Sequence, residues 1–91
     1  MHSGTVPREL VFSKQGWEDY QYWLGSDLKQ VRRINQLIKE IMREPFSGIG
    51  KPEPLKHVFQ GYWSRRIDGE HRIVYKVTGG QLWIAQLRYH Y

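Results

Sequence analysis

Residues 62–88 read YWSRRIDGEHRIVYKVTGGQLWIAQLR, and their period of two decides the fold. Alternate side chains on a strand face opposite ways, so Ile73, Tyr75 and Val77 share one face against Arg72, Val74 and Lys76. Three antiparallel strands are predicted, Tyr62–Asp68, His71–Thr78 and Gln81–Arg88, joined at Asp68-Gly69-Glu70 and Gly79-Gly80. A two-residue turn at Gly79-Gly80 sets Val77 opposite Leu82 and Tyr75 opposite Ile84, a coherent core face. A three-residue connection at Asp68-Gly69-Glu70 would set Arg66 opposite Arg72 on one face, whereas a two-residue turn would split them.

Upstream the period lengthens. Glu9–Phe12 is a short apolar strand candidate, and Ser13 is placed to cap a helix, although Gly16 stands where a capping box would want Glu or Gln. Trp17, Tyr20, Trp23 and Leu24 recur at helical spacing up to Gly25, which is expected to end that helix. Asp27 caps a second helix whose apolar stripe is Leu28, Val31, Ile34, Leu37, Ile38, Ile41 and Met42, ended by Pro45. Its other face carries Lys29, Arg32, Arg33, Lys39 and Arg43, which read as a solvated face or, alternatively, as a long-range attractor of a polyanion. Residues 46–54 hold Gly48, Gly50, Pro52 and Pro54 and read as a stiffened loop. Residues 1–8 lack periodicity and read as a flexible leader before a single domain over 9–91. The expected class is α+β, a strand and two N-terminal helices packed on one face of a twisted antiparallel sheet.

Composition narrows the function. The 91 residues include no cysteine, which excludes disulfides and thiolate metal sites and fits a cytoplasmic setting. No apolar run reaches membrane-spanning length, no signal-peptide pattern opens the chain, and no membrane partner is expected. Fourteen Lys and Arg against nine Asp and Glu leave a formal charge of +5, a balance that favours an anionic partner such as nucleic acid or an acidic protein.

Several residues could carry chemistry. Glu53 lies between Pro52 and Pro54, whose fixed φ holds the carboxylate in place beside Lys51 and Lys56. That suits a general base near an anionic substrate; the plainer alternative is a surface loop carboxylate. Arg65, Arg66 and Arg72 are unusual in strands, and like charges facing each other repel unless an anion joins them. Guanidinium forks bind phosphate bidentately, so these arginines, with Lys51, are candidates to hold a substrate. Ion pairing with Asp68 and Glu70 is the alternative. The histidines show no metal-ligand spacing, so neither metal nor cofactor is expected. His57 and His71 sit at strand edges and read as structural, whereas His90, between Tyr89 and Tyr91, has no packing reason to be there. One Glu, several cations and one His form the minimum set for metal-free RNA cleavage, in which a base activates the 2′-OH, cations stabilise charge on phosphorus and an acid protonates the leaving oxygen. Tyr62, Trp63, Tyr89 and Tyr91 could stack unpaired bases, though Trp63 equally suits a core.

The motifs Gly50-Lys51-Pro52-Glu53-Pro54-Leu55-Lys56-His57, Tyr62-Trp63-Ser64-Arg65-Arg66-Ile67, Glu70-His71-Arg72-Ile73-Val74-Tyr75 and Arg88-Tyr89-His90-Tyr91 strongly resemble the YoeB toxins, RelE-like ribonucleases of bacterial toxin–antitoxin modules. The likeness reaches upstream through Trp17-Glu18-Asp19-Tyr20, Ile34-Asn35-Gln36-Leu37-Ile38 and Pro45-Phe46 and covers roughly residues 10–91. Residues 1–8 and Gly16 depart from it. The resemblance implies the small RelE-like fold and a toxin that binds the 70S ribosome. There it would cut mRNA in the A site without metal, leaving a 2′,3′-cyclic phosphate and a 5′-hydroxyl and inhibiting translation. It implies Glu53 as general base, His90 as general acid and Arg72 as the transition-state cation. Arg66 and Lys56 would hold the phosphate, and Tyr91 would line the site through its ring or terminal carboxylate. A YefM-type antitoxin is the implied partner, and members of the family can pair as homodimers. Two other classes compete: a non-catalytic RNA- or ribosome-binding module on the same fold, and a protein-interaction domain whose basic face meets only an acidic antitoxin.

Overall fold

Gly79 and Gly80 both have positive φ, 55° and 79°, as a two-residue type I′ hairpin requires. The computed structural model describes residues 6–89. In chain order its elements are β1 (Glu9–Phe12), α1 (Lys14–Ser26), α2 (Leu28–Arg43), β2 (Glu53–Pro54), β3 (Trp63–Arg66), β4 (Arg72–Thr78) and β5 (Gln81–Gln86), with a 3-10 turn at His57–Phe59. The glycine hairpin sets Val77 opposite Leu82 and Tyr75 opposite Ile84. At the other turn Arg66 stands opposite Arg72, because Asp68 Oδ1 accepts the N–H groups of Glu70 and His71 at 2.8 and 2.7 Å and closes the connection at the predicted length.

Two helices pack on a five-stranded sheet of order β1-β5-β4-β3-β2. The α+β class stands, with three corrections to the sheet. It is mixed rather than antiparallel: β1 runs parallel to β5, Leu10 beside Leu82 and Phe12 beside Ile84. The loop before Leu55 contributes a two-residue edge strand, Glu53 opposite Ser64; prolines are tolerated there because an edge needs no second set of N–H donors. Finally, β5 stops at Gln86, short of Arg88.

A bulge explains that stop. Tyr75 faces Ile84 but Val74 faces Gln86, so Ala85 is the extra residue. It shifts the alternation by one, so that Leu82 and Ile84, then Leu87, all enter the core. Ser13 N–H donates to Ile84 O and its hydroxyl donates to Ala85 O, both at 2.9 Å. Ser13 Oγ also accepts Gly16 N–H at 2.9 Å as the predicted cap of α1. A Cβ on Gly16 would stand 2.5 Å from Ile84 O, so this helix turn lies directly against the bulge.

Both helices differ from their predicted faces. α1 runs through Gly25 to Ser26 and buries Gly16, Asp19 and Trp23, while Trp17 is 52 % exposed and Leu24 is exposed too. Asp27 both closes α1, its N–H donating to Trp23 O, and caps α2, its carboxylate accepting Lys29 N–H. α2 buries Val31, Ile34, Leu37, Ile38 and Ile41, but Leu28 in its first turn is 58 % exposed. Of the stretch expected as a leader, Pro7 is buried and Arg8 N–H donates to Gly80 O at 2.7 Å, so contact with the domain begins before Glu9.

The largest correction concerns Arg65, a candidate substrate ligand that lies wholly inside. Its Nε donates to Tyr75 Oη at 3.2 Å, Nη1 to Ile49 O at 3.1 Å, and Nη2 to Glu44 O and Ser47 O at 2.6 and 2.9 Å. Tyr75 Oη in turn donates to Pro45 O at 2.7 Å. A buried guanidinium is tolerable only when its N–H groups are met, and Glu44, as the C-cap of α2, places it at the negative end of the helix dipole. Burial pushes the Tyr75 hydroxyl above its ordinary value, partly offset by the Arg65 hydrogen bond and charge.

Arg65→Met should cost about 3 kcal/mol or more of folding stability in a urea titration, since it strips donors from three part-buried carbonyls and from the buried Tyr75 hydroxyl; a loss below about 1 kcal/mol would show that the loop closes without it. A pH effect follows at Asp68. Burial raises its pKa, but hydrogen bonds from His71 N–H, Glu70 N–H and Gln30 outweigh that and leave it below the ordinary 3.8. Its contribution is thus present above 3.8 and lost as pH falls through the lowered value. Asp68→Asn should be less stable than wild type at neutral pH, with a flatter acid limb below that point.

Candidate active site

The arginine that alternation turns inward at 65 turns outward at 66. Strand pleating sends Trp63, Arg65, Ile73 and Tyr75 toward the helices, and Ser64, Arg66, Arg72 and Lys76 to the opposite face of the sheet. That face is not bare, because Ser64 and Val74 are fully buried on it.

Glu53 reaches this face from the sheet edge. Arg65 draws in the carbonyls of residues 44–49, and Arg66 N–H then donates to Gly50 O at 2.7 Å. Gly50, at φ 82°, lies so close that a Cβ would meet Leu37, Arg65 and the Arg66 carbonyl at 3.0–3.2 Å. Lys51, at φ 52°, turns the chain, and Pro52-Glu53-Pro54 lies down beside β3. Glu53 Oε1 comes 3.5 Å from Arg72 Nη1. The Glu53 side chain is 54 % exposed and that of Arg72 only 13 %, so an approaching anion meets the carboxylate first. Arg72 Nη1 is buried and has no hydrogen bond among the described residues. At this length the pair is electrostatic rather than a hydrogen bond, which leaves N–H capacity for a third group.

Exposed Arg66 stands across from Arg72. Neither Asp68 nor Glu70 pairs with either arginine among the described residues: Asp68 takes Gln30 and two backbone donors, and Glu70 lies 3.7 Å from His71. Surface ion pairing with those two acids therefore does not explain the arginines. Lys56 is exposed and shares a groove of about 440 Å³ with Glu53, Pro54, Leu55, His57, Val58 and Phe59. His57, expected to be structural, is exposed on this groove at φ 60°. Lys51 is exposed at the turn leading into Glu53. Glu53, Arg66 and Arg72 thus come together, Lys56 and Lys51 flank them, and Arg65 belongs to the core.

Of the aromatic candidates, Trp63 packs against the core and 4.8 Å from the Phe46 ring. Tyr62 lies on the open face, with Lys76 Nζ 5.1 Å from its centroid and 5.7 Å from that of Trp83. Lys76 and Trp83 were not among the expected site residues; the signal was in the alternation, which places both on the face of Arg72. Tyr89 is exposed. His90 and Tyr91 lie outside the described residues.

The approach to His90 is nonetheless well defined. Asp19 Oδ2 accepts Leu87 N–H at 2.9 Å and Trp23 Nε1 donates to Leu87 O at 3.0 Å, so α1 holds both polar groups of one peptide residue. Tyr89 N–H then donates to His71 Nδ1 at 2.7 Å, and Tyr89 O accepts Arg72 N–H at 3.2 Å.

The fold is thus a helix pair on a mixed sheet whose outer face carries two arginines and one edge carboxylate. Residues 12–91 match the model of the YoeB-like toxin of bacterial type II toxin–antitoxin systems. The chain belongs to that family. The YoeB toxin of Streptomyces coelicolor is 60 % identical over 82 residues, 90 % of this chain and 98 % of that one. Among solved structures, a YoeB/ParE toxin from Agrobacterium tumefaciens superposes with a TM-score of 0.90 at 49 % identity, covering 92 % of this chain and all of the other. A toxin chain of the heterotetrameric YoeB–YefM complex from Staphylococcus aureus does so at 0.84 and 49 % identity, covering 92 % and 99 %.

Arg66→Ala should leave stability within about 0.5 kcal/mol of wild type, as expected for an exposed side chain. A urea titration beside Arg65→Met checks this, and a comparable loss in both would make Arg66 structural as well.

Proposed function

We propose that this toxin is an endoribonuclease that cuts mRNA on the ribosome. The observation that carries the reading is the Glu53–Arg72 approach at 3.5 Å, with Arg66 directly across from Arg72. A carboxylate and two guanidinium groups on one face supply a base and an anion clamp within reach of a single phosphodiester.

In the reaction the Glu53 carboxylate takes the proton of a ribose 2′-OH. The 2′ oxygen attacks the adjacent phosphorus, and negative charge grows on the non-bridging oxygens. Arg72, Arg66 and Lys56 meet that charge with fixed donors, and Lys51 adds to the positive potential at the entrance. The P–O5′ bond breaks and His90 delivers a proton to the departing oxygen. The products are a 2′,3′-cyclic phosphate and a 5′-hydroxyl. Neither metal nor cofactor enters this sequence, and Tyr91 is assigned to substrate binding. Tyr62 and Trp83, with Lys76 between them, offer ring faces on which exposed bases can stack.

The 70S ribosome presents the mRNA, in the A site, and the outcome is inhibited translation in the cytoplasm. The partner that restrains the toxin is a YefM-type antitoxin, a reading supported by the relative solved as a YoeB–YefM complex.

Primer extension on mRNA in a reconstituted translation system tests the reading. Wild type should give codon-phased cuts; Glu53→Ala and His90→Gln should each cut about 10²-fold more slowly with little change in ribosome affinity, and Arg72→Ala about 10²–10³-fold more slowly. Ribosome binding without cuts by wild type would make the chain a binding module instead.

A further inference from the structure

His71 plays no part in the reaction above, yet it touches both α1 at Trp23 and the chain at Tyr89. Its Nδ1 accepts Tyr89 N–H at 2.7 Å, its ring lies edge-on to Trp23 at 4.9 Å and beside the Tyr89 ring at 5.3 Å, and its own N–H donates to Asp68 Oδ1. An accepting Nδ1 carries no proton, so the ring is neutral and holds its proton on Nε2. Nε2 faces Glu70 Oε1 at 3.7 Å.

We infer that His71 is a positioning residue that sets the direction of the chain into His90 through the Tyr89 N–H, and this rests on the reading of His90 as general acid. Three observations carry it. Tyr89 has φ 60°, a conformation that is strained for a non-glycine residue and persists only where neighbours enforce it. The enforcing contacts are the two ends of one residue: Tyr89 N–H on His71 and Tyr89 O on Arg72 N–H. Upstream, Asp19 and Trp23 hold Leu87, and Trp23 also packs on the His71 ring. The imidazole therefore links Trp23 of α1 to the backbone of Tyr89, while the His71 main chain anchors it to the β3–β4 turn. Arg72, which opens β4 directly after His71, donates its N–H to Tyr89 O, so Tyr89 is held between two consecutive residues. The charged and titratable groups around the ring are Glu70 and Asp68 from the turn and Tyr89 with Arg88 from the tail; α1 presents Trp23.

His71→Phe keeps a ring against Trp23 and Tyr89 but removes the acceptor, whereas the Asn Oδ1 of His71→Asn falls near the position of Nδ1. In single-turnover mRNA cleavage on programmed ribosomes, His71→Phe should lower the maximal rate about 10- to 100-fold, the usual cost of a group misplaced by about 1 Å, with half-saturation within about twofold. His71→Asn should recover most of the rate. The double variant His71→Phe/His90→Gln should be no slower than His90→Gln, since His71 acts through His90. Amide exchange at Tyr89 should be slow in wild type and in His71→Asn, and fast in His71→Phe. A wild-type rate in His71→Phe, no recovery in His71→Asn, multiplicative losses in the double variant or unprotected Tyr89 in wild type would each overturn the inference. A slow His90→Gln beside an unaffected His71→Phe would do so while leaving the acid in place; an unaffected His90→Gln would remove the acid role and the inference with it.

Discussion

Arg65 is the constraint on which the rest of the molecule depends. A guanidinium wholly inside a protein must find acceptors for its donors, and here most come from main-chain carbonyls of the segment after α2, residues 44–49. These bonds add to the packing of Pro45, Phe46 and Ile49 by giving the segment's carbonyls partners other than water. Once it is gathered in, Gly50 is close enough for Arg66 N–H, and Glu53 arrives at the sheet edge opposite Ser64. Adjacent arginines thus divide the labour: one fixes the loop that carries the carboxylate, the other faces outward beside it.

The face that carries Glu53, Arg66 and Arg72 has a second support on the far side of the sheet. Asp19 and Trp23 belong to the helix layer but act on the backbone of Leu87, and Leu87 reaches them only because the Ala85 bulge reverses the alternation of β5. Without that extra residue Leu87 would face away from the helices and the chain would continue in another direction. An irregularity in the sheet therefore serves the same end as the regular ladder of β3 and β4, which aligns Arg66 with Arg72.

Much of this was legible in the residues. Turn chemistry at Gly79-Gly80 and Asp68-Gly69-Glu70 determines register locally, so the cross-strand pairs, including Arg66 with Arg72, follow from short-range sequence. Asp27 and Pro45 mark helix ends for equally local reasons. The burial of Arg65 was not legible, since two arginines in a row look alike until the alternation is anchored to a core, and its acceptors are backbone atoms that no side-chain pattern reports. Nor was the parallel pairing of β1 with β5, a contact across 72 residues that no turn specifies. Trp17 and Leu28 look like core by spacing but lie at helix starts beyond the sheet's cover. Asp19 was hidden by its chemistry: a carboxylate among aromatic residues reads as solvent-facing, and only the bulged strand shows why it is buried. For the site, Glu53, Arg66 and Arg72 were recognisable and the structure brings them together; Lys76 and Trp83 were passed over because their shared face matters more than their identity.

The pairing of β1 with β5 also has a temporal side. A parallel neighbour from the opposite end of the sequence closes a long loop, and such closures come late because their entropy is spent before any contact repays it. The hairpins of β3, β4 and β5 can assemble from local turns, but Ser13, Asp19 and Trp23 reach the bulge and Leu87 only when the N-terminal segment docks. A chain still emerging from its own ribosome lacks β5 until the last of these residues is made. The backbone of Leu87 thus gains its partners on α1 only after β5 has been made and the N-terminal segment has docked.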